Sequence, residues 1–422
     1  MRLIIKNGCL IDGRGNCLPE TDIVVIEGKF ARIGHNCAGA RQAEDILVDA
    51  SGKWVVPGLI DCHVHITKGN ALSDDSRWSR SAGVDNEVED GFWELTAPAA
   101  RDALLGAHHA AATLRAGFTT VRDLGGARGY ADIVLREAIR TDRVSGPRLL
   151  ACGGGLAMTG GHWWNVGLLE IDGKTEARRA TRRQLKAGAN VIKIMASRAG
   201  SAERCPGGAE LSVEEMRQIC EEAHNQGIRV SAHAVGAESI RNAVLAGADT
   251  IEHGCFCDDE SLQMMKERAI FLITTLYAYH QQAGRSSELG WPEHVAQRSQ
   301  QIMDVYPQTI RRALELGVPI APGSDTGQAF LTPHGENAAE LVLLSELVGL
   351  DPGSVLTLAT YEAARALGME DRIGSIEEGK LADFLIVNRD PLLDISVLRQ
   401  PDALYAVIKE GVINWNDALI RS

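Results

Sequence analysis

The chain has 422 residues, of which 45% are hydrophobic and 23% are charged, and its formal net charge is −13. This length allows one large domain with a smaller second one, and the hydrophobic fraction is typical of a globular protein. The negative charge, with no basic stripe, argues against nucleic acid as a partner. No apolar segment reaches the roughly 18 residues that span a membrane.

The nine cysteines are an odd number without paired spacing. They are typical of reduced thiols rather than of a disulfide framework. The amino-terminal residues 1–8 become polar too early for a signal peptide. We therefore expect a cytoplasmic protein that acts on a small molecule, without a membrane partner, and we expect a homo-oligomer.

Short apolar segments at both ends of the chain are typical of strands separated by turns. Neither end has enough of them to form a stable sheet alone. We therefore predict that residues 1–57 and 370–422 form one small composite β-sandwich domain. The segments are residues 3–6, 22–26, 30–33, 383–387 and 404–408.

Between residues 58 and 369, apolar strand segments alternate with helical segments, which favours a parallel sheet. Eight strand segments predict an α/β fold in which a (β/α)8 TIM barrel forms the catalytic domain. A doubly wound open sheet is the alternative, and the absence of a Gly-x-Gly-x-x-Gly turn after the first strand weighs against it. After the opening run 55–60, the segments are residues 119–124, 148–152, 191–196, 229–234, 250–253, 270–274 and 318–322.

The most informative motif, Asp61-Cys62-His63-Val64-His65, ends the opening strand. Residues two apart on a strand project from the same face, so the two imidazoles lie side by side. Burying them without a partner is costly, and a divalent metal removes that cost. Taken alone, the motif fits a pair of hydrogen-bonded core histidines equally well.

Further polar residues occur at other strands of the predicted barrel. Lys193 interrupts the apolar strand 191–195, and a buried lysine must be neutral, paired or modified unless it reaches solvent. A neutral amine can react with carbon dioxide to give a carbamate, which bridges two metals as a carboxylate would. His233, His253 and Asp325 follow three other strands, where each alone would fit a structural histidine or a turn aspartate. Because the strand ends of a barrel share one mouth, their joint presence favours a metal site.

These motifs resemble the amidohydrolase superfamily of metal-dependent hydrolases, and the resemblance covers essentially the whole chain. It is carried by residues 57–65, His233, His253, residues 323–325 and the tail 374–384. Within the superfamily, residues 158–162, 192–196 and 333–341 are most similar to the imidazolonepropionase-like branch. That branch includes Xaa-Pro and Xaa-Arg/Lys dipeptidases.

The resemblance implies a binuclear centre holding two divalent metal ions, with zinc expected and manganese or iron also suited to the ligands. His63, His65 and Asp325 would hold the more buried metal, and His233 and His253 the more exposed one. Carboxylated Lys193 would bridge them together with a hydroxide. Asp325 would take the proton of the attacking water and deliver it to the leaving amine.

The expected reaction is hydrolysis of a C–N amide bond in a dipeptide or an N-acyl amino acid. The alternatives are hydrolysis of a carbamate, phenylurea, lactam or imidazolone-type amide, and a scaffold without activity. His162, on a glycine-rich loop, could donate to the carbonyl oxygen. Arg198 or Arg204 could clamp a substrate carboxylate, and Tyr277 could line the mouth of the site. Residues 70–98 form a candidate lid after the first strand.

Overall fold

A computed structural model describes residues 2–40, 42–68, 98–164, 166–288, 290–328 and 331–416. Apart from Pro98, the candidate lid lies outside the described residues.

Eight strands from the two ends of the chain form one mixed sheet. They are β1 (Arg2–Ile11), β2 (Cys17–Ile26), β3 (Lys29–Gly34), β4 (Ile46–Asp49), β5 (Trp54–Pro57), β16 (Phe384–Val387), β17 (Leu404–Lys409) and β18 (Val412–Asn416). The hydrogen-bonded order is β18-β17-β16-β5-β1-β2-β3, with β4 beside β1. Strand β16 runs antiparallel to β5, with Phe384 opposite Pro57, so the two chain ends share one sheet. The domain boundaries at residues 57 and 370 remain a prediction.

The middle of the chain forms the predicted barrel. Its strands are β6 (Leu59–Val64), β7 (Phe118–Asp123), β8 (Arg148–Leu150), β9 (Leu156–Met158), β11 (Val191–Met195), β12 (Arg229–Ala234), β13 (Thr250–His253), β14 (Phe271–Thr274) and β15 (Ile320–Pro322), with β10 (Leu169–Ile171) beside β9. All the pairings between them are parallel. The third barrel strand is split, because β8 pairs with β7 whereas β9 pairs with β11. A parallel bridge between Val64 and Thr326 joins the first and last strands, so the sheet is closed rather than open.

Helices connect the strands as the alternation predicts. They are α1 (Pro98–Arg115), α2 (Ala131–Arg140), α3 (Gly173–Ala187), α4 (Val213–His224), α5 (Ala237–Ala246), α6 (Asp259–Glu267), α7 (Leu276–Arg285), α8 (Glu293–Leu316), α9 (Ala339–Leu343), α10 (Pro352–Thr357) and α11 (Ala363–Leu367). Helix α4 begins at a capping box, in which Ser212 and Glu215 satisfy each other's backbone N–H groups. Within the described ranges, no helix has the length and apolar character needed to cross a membrane.

Candidate metal centre

A cavity of about 570 Å³ lies at the carboxyl ends of the barrel strands. All six predicted metal ligands line it, and so does His162. Four of the six lie in four barrel strands, one directly follows the first of these strands, and one follows the last barrel strand: His63, Lys193, His233 and His253, then His65, then Asp325. The fold therefore brings together residues that are up to 262 positions apart in the sequence.

His63, His65 and Asp325 form a compact group, whose potential ligand atoms all lie within 4.8 Å of one another. Oδ1 of Asp325 is 3.0 Å from Nε2 of His65 and 3.7 Å from Nε2 of His63. The other nitrogen of each ring is occupied. Nδ1 of His65 is 2.9 Å from the carbonyl oxygen of Gly125, to which it must donate.

This arrangement directs lone pairs towards one another. Since Nδ1 donates to Gly125, the Nε2 atom of a neutral His65 ring faces the Asp325 carboxylate with its lone pair. Two acceptors 3.0 Å apart repel unless a cation lies near both. The carbonyl oxygen of Gly125 fixes the ring orientation, as second partners do for histidines that bind metals. The group fits a divalent metal ion.

Two glycines permit this close packing. A Cβ atom on Gly323 would lie 2.5 Å from Cβ of His63, and one on Gly327 would lie 2.4 Å from the carbonyl oxygen of His65. Asp325, between them, has a φ of 55°. His253 has a φ of 69°. Left-handed conformations cost non-glycine residues energy and tend to occur at functional sites.

A second group of side chains lies beside the first. The ring of His253 is centred 5.1 Å from that of His63 and 4.5 Å from that of His233. Nδ1 of His253 is 2.7 Å from Oγ1 of Thr275. Within the described residues, Nζ of Lys193, Nε2 of His233 and Oδ1 of Asp325 are buried without a hydrogen-bond partner. Buried polar atoms normally have partners, so these unpartnered atoms also fit a metal centre.

Burial favours the uncharged form, which binds metals, at His253, His233 and Lys193. It lowers the pKa of His253 to about 4 and the pKa of His233 well below the ordinary histidine value. It also lowers the pKa of Lys193 to about 8, although the carboxylates of Glu252 and Asp325 oppose this. A neutral amine is the form that can attack carbon dioxide.

The pKa of Asp325 is shifted in favour of its charged form, in contrast to the pKa values of these nitrogen ligands. Burial alone would raise its pKa, but the neighbouring His63 and His65 more than offset that effect, and the net pKa is lowered. Asp325 therefore remains a carboxylate in the cavity.

The sequence reasoning missed Glu252, which lies one residue before His253 and is fully buried. Its Oε2 is 2.8 Å from Nδ1 of His63. Its Oε1 accepts from Nη2 of Arg122 and from Oγ of Ser231, each at 2.8 Å. The sequence feature that could have revealed Glu252 is the presence of a charged residue inside the apolar segment 250–253. Glu252 orients His63 and is itself neutralised by Arg122.

The candidate substrate residues divide into two groups. His162 lines the cavity, with its ring centred 4.5 Å from that of His233, and burial lowers its pKa to about 4. Arg198, Arg204 and Tyr277 are not among the residues that line the cavity. Arg204 is exposed, and Nε of Arg198 lies 3.6 Å from Glu210.

Several lining residues were not anticipated. They include the cationic residues Lys68, Arg101 and Arg128, the aromatic residues Tyr279 and Trp291, and the amides Gln282 and Gln328. Arg128 pairs with Asp102 at 2.8 Å. Apart from the predicted ligands, the described lining thus holds three cationic side chains and a single carboxylate.

Comparison with known proteins agrees with this architecture. A model of the Amidohydrolase family matches residues 54–413. Ochratoxinase from Aspergillus niger is 31% identical over 435 aligned positions, covering 97% of this chain and 85% of that protein. Imidazolonepropionase from Symbiobacterium thermophilum is 29% identical over 216 positions, covering 50% and 45% of the two chains. The structure of a Xaa-Pro dipeptidase with bound methionine in the active site superposes with a TM-score of 0.85 and 31% identity, covering 98% of this chain and 99% of that one.

Proposed function

Because this chain belongs to the amidohydrolase family, we propose that it is a binuclear metal-dependent hydrolase that cleaves a C–N amide bond in a dipeptide or an N-acyl amino acid. The observation that carries the proposal is that buried polar atoms without a hydrogen-bond partner among the described residues converge on one cavity. These atoms are Nζ of Lys193, Nε2 of His233 and Oδ1 of Asp325. A folded protein rarely leaves such atoms without a partner, and metal ions would supply one.

In this proposal His63, His65 and Asp325 would hold one metal, and His233 and His253 would hold the other. Lys193, carboxylated by carbon dioxide, would supply ligand oxygens to both, and zinc suits the imidazole ligands. Bound divalent metals supply Lewis acidity, which lowers the pKa of a water molecule and polarises a carbonyl group.

The side chains supply proton transfer and orientation. Oδ1 of Asp325 is a carboxylate oxygen without a hydrogen-bond donor among the described residues, so it can accept a proton from the water. It can then return that proton to the leaving amine. Nε2 of Gln328 donates to the other oxygen, Oδ2, and so holds the carboxylate in place. His162, neutral at ordinary pH, can donate its ring N–H to the carbonyl oxygen of the substrate.

The cavity wall supports a substrate that carries a carboxylate. Lys68, Arg101 and Arg128 line the cavity, where Arg128 forms an ion pair with the lining carboxylate of Asp102. Guanidinium groups bind carboxylates with directed, charge-assisted hydrogen bonds. Trp163 and Trp291 add aromatic surface for an apolar substituent. An amino acid, methionine, occupies the active site of the related dipeptidase.

A substrate screen tests the proposal. The metal-loaded protein is assayed against dipeptides and N-acyl amino acids, each paired with the same compound bearing a terminal carboxamide instead of a carboxylate. Carbamates and phenylureas complete the panel. We expect turnover of the carboxylate compounds and a marked loss with their carboxamides. Turnover of carbamates or phenylureas alone would replace the proposed substrate class with another one.

Metal analysis separates the enzyme from a scaffold without activity. We expect about two metal ions per chain, as the ligand set provides for. A chain that purifies without stoichiometric metal, and that binds none when metal is supplied, would contradict the proposal.

A further inference from the structure

Two cysteines meet on the mixed sheet formed by the chain ends. Cys9 lies in β1, and Cys17 is the first residue of β2. Ile11 is the cross-strand partner of Cys17. Cys9 lies two residues before Ile11 in β1, and therefore on the same face of the sheet as Cys17. The two Sγ atoms are 3.2 Å apart. Cys17 is exposed and Cys9 is partly buried.

We propose that Cys9 and Cys17 form a reversible disulfide under oxidising conditions. Neighbouring strands already hold the two sulfur atoms 3.2 Å apart, so bond formation requires them to approach by about 1.2 Å. The sequence pattern alone favours reduced thiols, because the spacing of the cysteines does not reveal which ones meet in the fold.

The oxidant is a low-molecular-weight disulfide such as oxidised glutathione. The exposed Cys17, as a thiolate, attacks one sulfur of this disulfide, and one glutathione thiolate leaves. Cys9 then loses its proton and attacks the Cys17 sulfur of the mixed disulfide, which expels the second glutathione. Two protein thiols lose two hydrogen atoms in total, and one glutathione disulfide becomes two glutathione thiols.

The surroundings of the two cysteines indicate that Cys17 reacts first and Cys9 second. Burial, together with the hydrogen bond to Cys17, raises the pKa of Cys9 to about 12. Because the thiolate is the attacking form, Cys9 is a poor first nucleophile. Cys17 has solvent access, which an incoming disulfide requires. Once Cys17 is in the mixed disulfide, the neighbouring Cys9 reacts within the same chain.

The bond would secure the turn that joins β1 to β2. In this turn the backbone carbonyl of Asp12 accepts from the N–H of Ile376 at 3.0 Å. Nη2 of Arg14 donates to the hydroxyl of Tyr361 at 2.8 Å. The disulfide would therefore fix a turn that contacts the carboxyl-terminal part of the chain. None of these groups lines the metal cavity, so the inference does not depend on the proposed function.

Peptide mapping tests the disulfide directly. The metal-loaded protein is incubated with oxidised glutathione, remaining thiols are alkylated, and the protein is digested with trypsin without reduction. Trypsin cleaves after Lys6, Arg14 and Lys29, which places the two cysteines in separate peptides, residues 7–14 and 15–29. We expect these peptides to be recovered linked, with a mass two hydrogens below their sum. Dithiothreitol should separate them.

Matched variants complete the test. Cys205→Ser removes another exposed cysteine and should leave the linked peptides unchanged. Cys17→Ser should abolish them. Recovery of both peptides fully alkylated would overturn the proposal. A persistent glutathione adduct on Cys17, or a bond from Cys17 to any residue other than Cys9, would overturn it as well.

Discussion

Nδ1 of His63 lies 2.8 Å from Oε2 of Glu252, and neither side chain is more than 1% exposed. The other oxygen of the same carboxylate accepts from the guanidinium of Arg122 at 2.8 Å. One buried carboxylate therefore orients a candidate metal ligand and neutralises an arginine enclosed by the barrel. The candidate metal centre and the stability of the barrel depend on the same group.

Replacing Glu252 with glutamine should destabilise the protein severely. The amide retains some hydrogen bonds but leaves the buried guanidinium of Arg122 without a counter-charge. Removing one partner of a buried ion pair costs about 3–5 kcal/mol. The free energy of unfolding, measured by urea denaturation of the metal-free protein, should fall by about that amount. The double variant Glu252→Gln/Arg122→Met should recover most of the loss. A single variant as stable as wild type would contradict this account.

A substitution at Thr275, which forms a hydrogen bond with His253, should perturb the protein less than Glu252→Gln does. Thr275→Val removes the hydroxyl that contacts Nδ1 of His253 at 2.7 Å while preserving the shape of the side chain. Metal affinity, measured by competition with a chromogenic chelator, should weaken about 10- to 100-fold. Thr113→Val is the matched control, because the buried Thr113 hydroxyl has no partner among the described residues. Equal metal affinity in the two variants would show that Thr275 does not orient His253.

The positions of the candidate ligands could be predicted because strand ends leave a clear pattern in the sequence. His63, His233 and His253 each end an apolar segment, and parallel strands bring such ends to one mouth. Lys193 was recognisable as a charged residue in a buried segment. The same reasoning did not reveal Glu252, whose contacts with Arg122 and His63 depend on how the strands close around the barrel interior.

The substrate-facing residues were harder to predict. The sequence suggested Tyr277, whereas the structure places Tyr279 in the cavity. Helix α7 begins at Leu276, and residues two apart on a helix lie on nearly opposite faces. Which of the two tyrosines faces the cavity therefore depends on the orientation of the helix about its axis, and the sequence of the preceding strand does not determine that orientation. Arg128 lies in a short turn before α2, and Trp291 lies in the loop before α8, where the sequence has no periodicity that predicts a direction.

Asp325→Asn tests the role of Asp325 in proton transfer. The amide cannot accept the proton of the water molecule or carry it to the leaving amine. We expect kcat to fall about 10²- to 10⁴-fold, the usual contribution of a general acid–base group. Metal content, measured by elemental analysis of protein equilibrated with excess metal, must be reported beside kcat. Turnover close to that of wild type, with metal retained, would show that another group moves the proton.

His109 should make the stability of the protein depend on pH. Its Nδ1 donates to the carbonyl oxygen of Ile66 at 2.8 Å, and its ring stacks on that of His334 at 4.3 Å. Burial lowers its pKa from the ordinary 6.5 to about 4. In the unfolded chain the imidazole binds a proton below pH 6.5, whereas in the folded protein it stays neutral down to about pH 4. The contribution of His109 to the free energy of unfolding should therefore be constant above about pH 6.5. It should fall as the pH is lowered from 6.5 to about 4.

His109→Gln isolates this contribution, since the glutamine amide can still donate to the carbonyl oxygen but does not titrate. Below pH 6.5 the stability of wild type should fall relative to the variant by up to about 1.4 kcal/mol per pH unit. Denaturant unfolding of metal-free protein at a series of pH values measures this difference. His35→Gln, at an exposed position, should follow the wild-type pH dependence. Parallel curves for wild type and His109→Gln would mean that His109 does not remain neutral in the folded protein over this range.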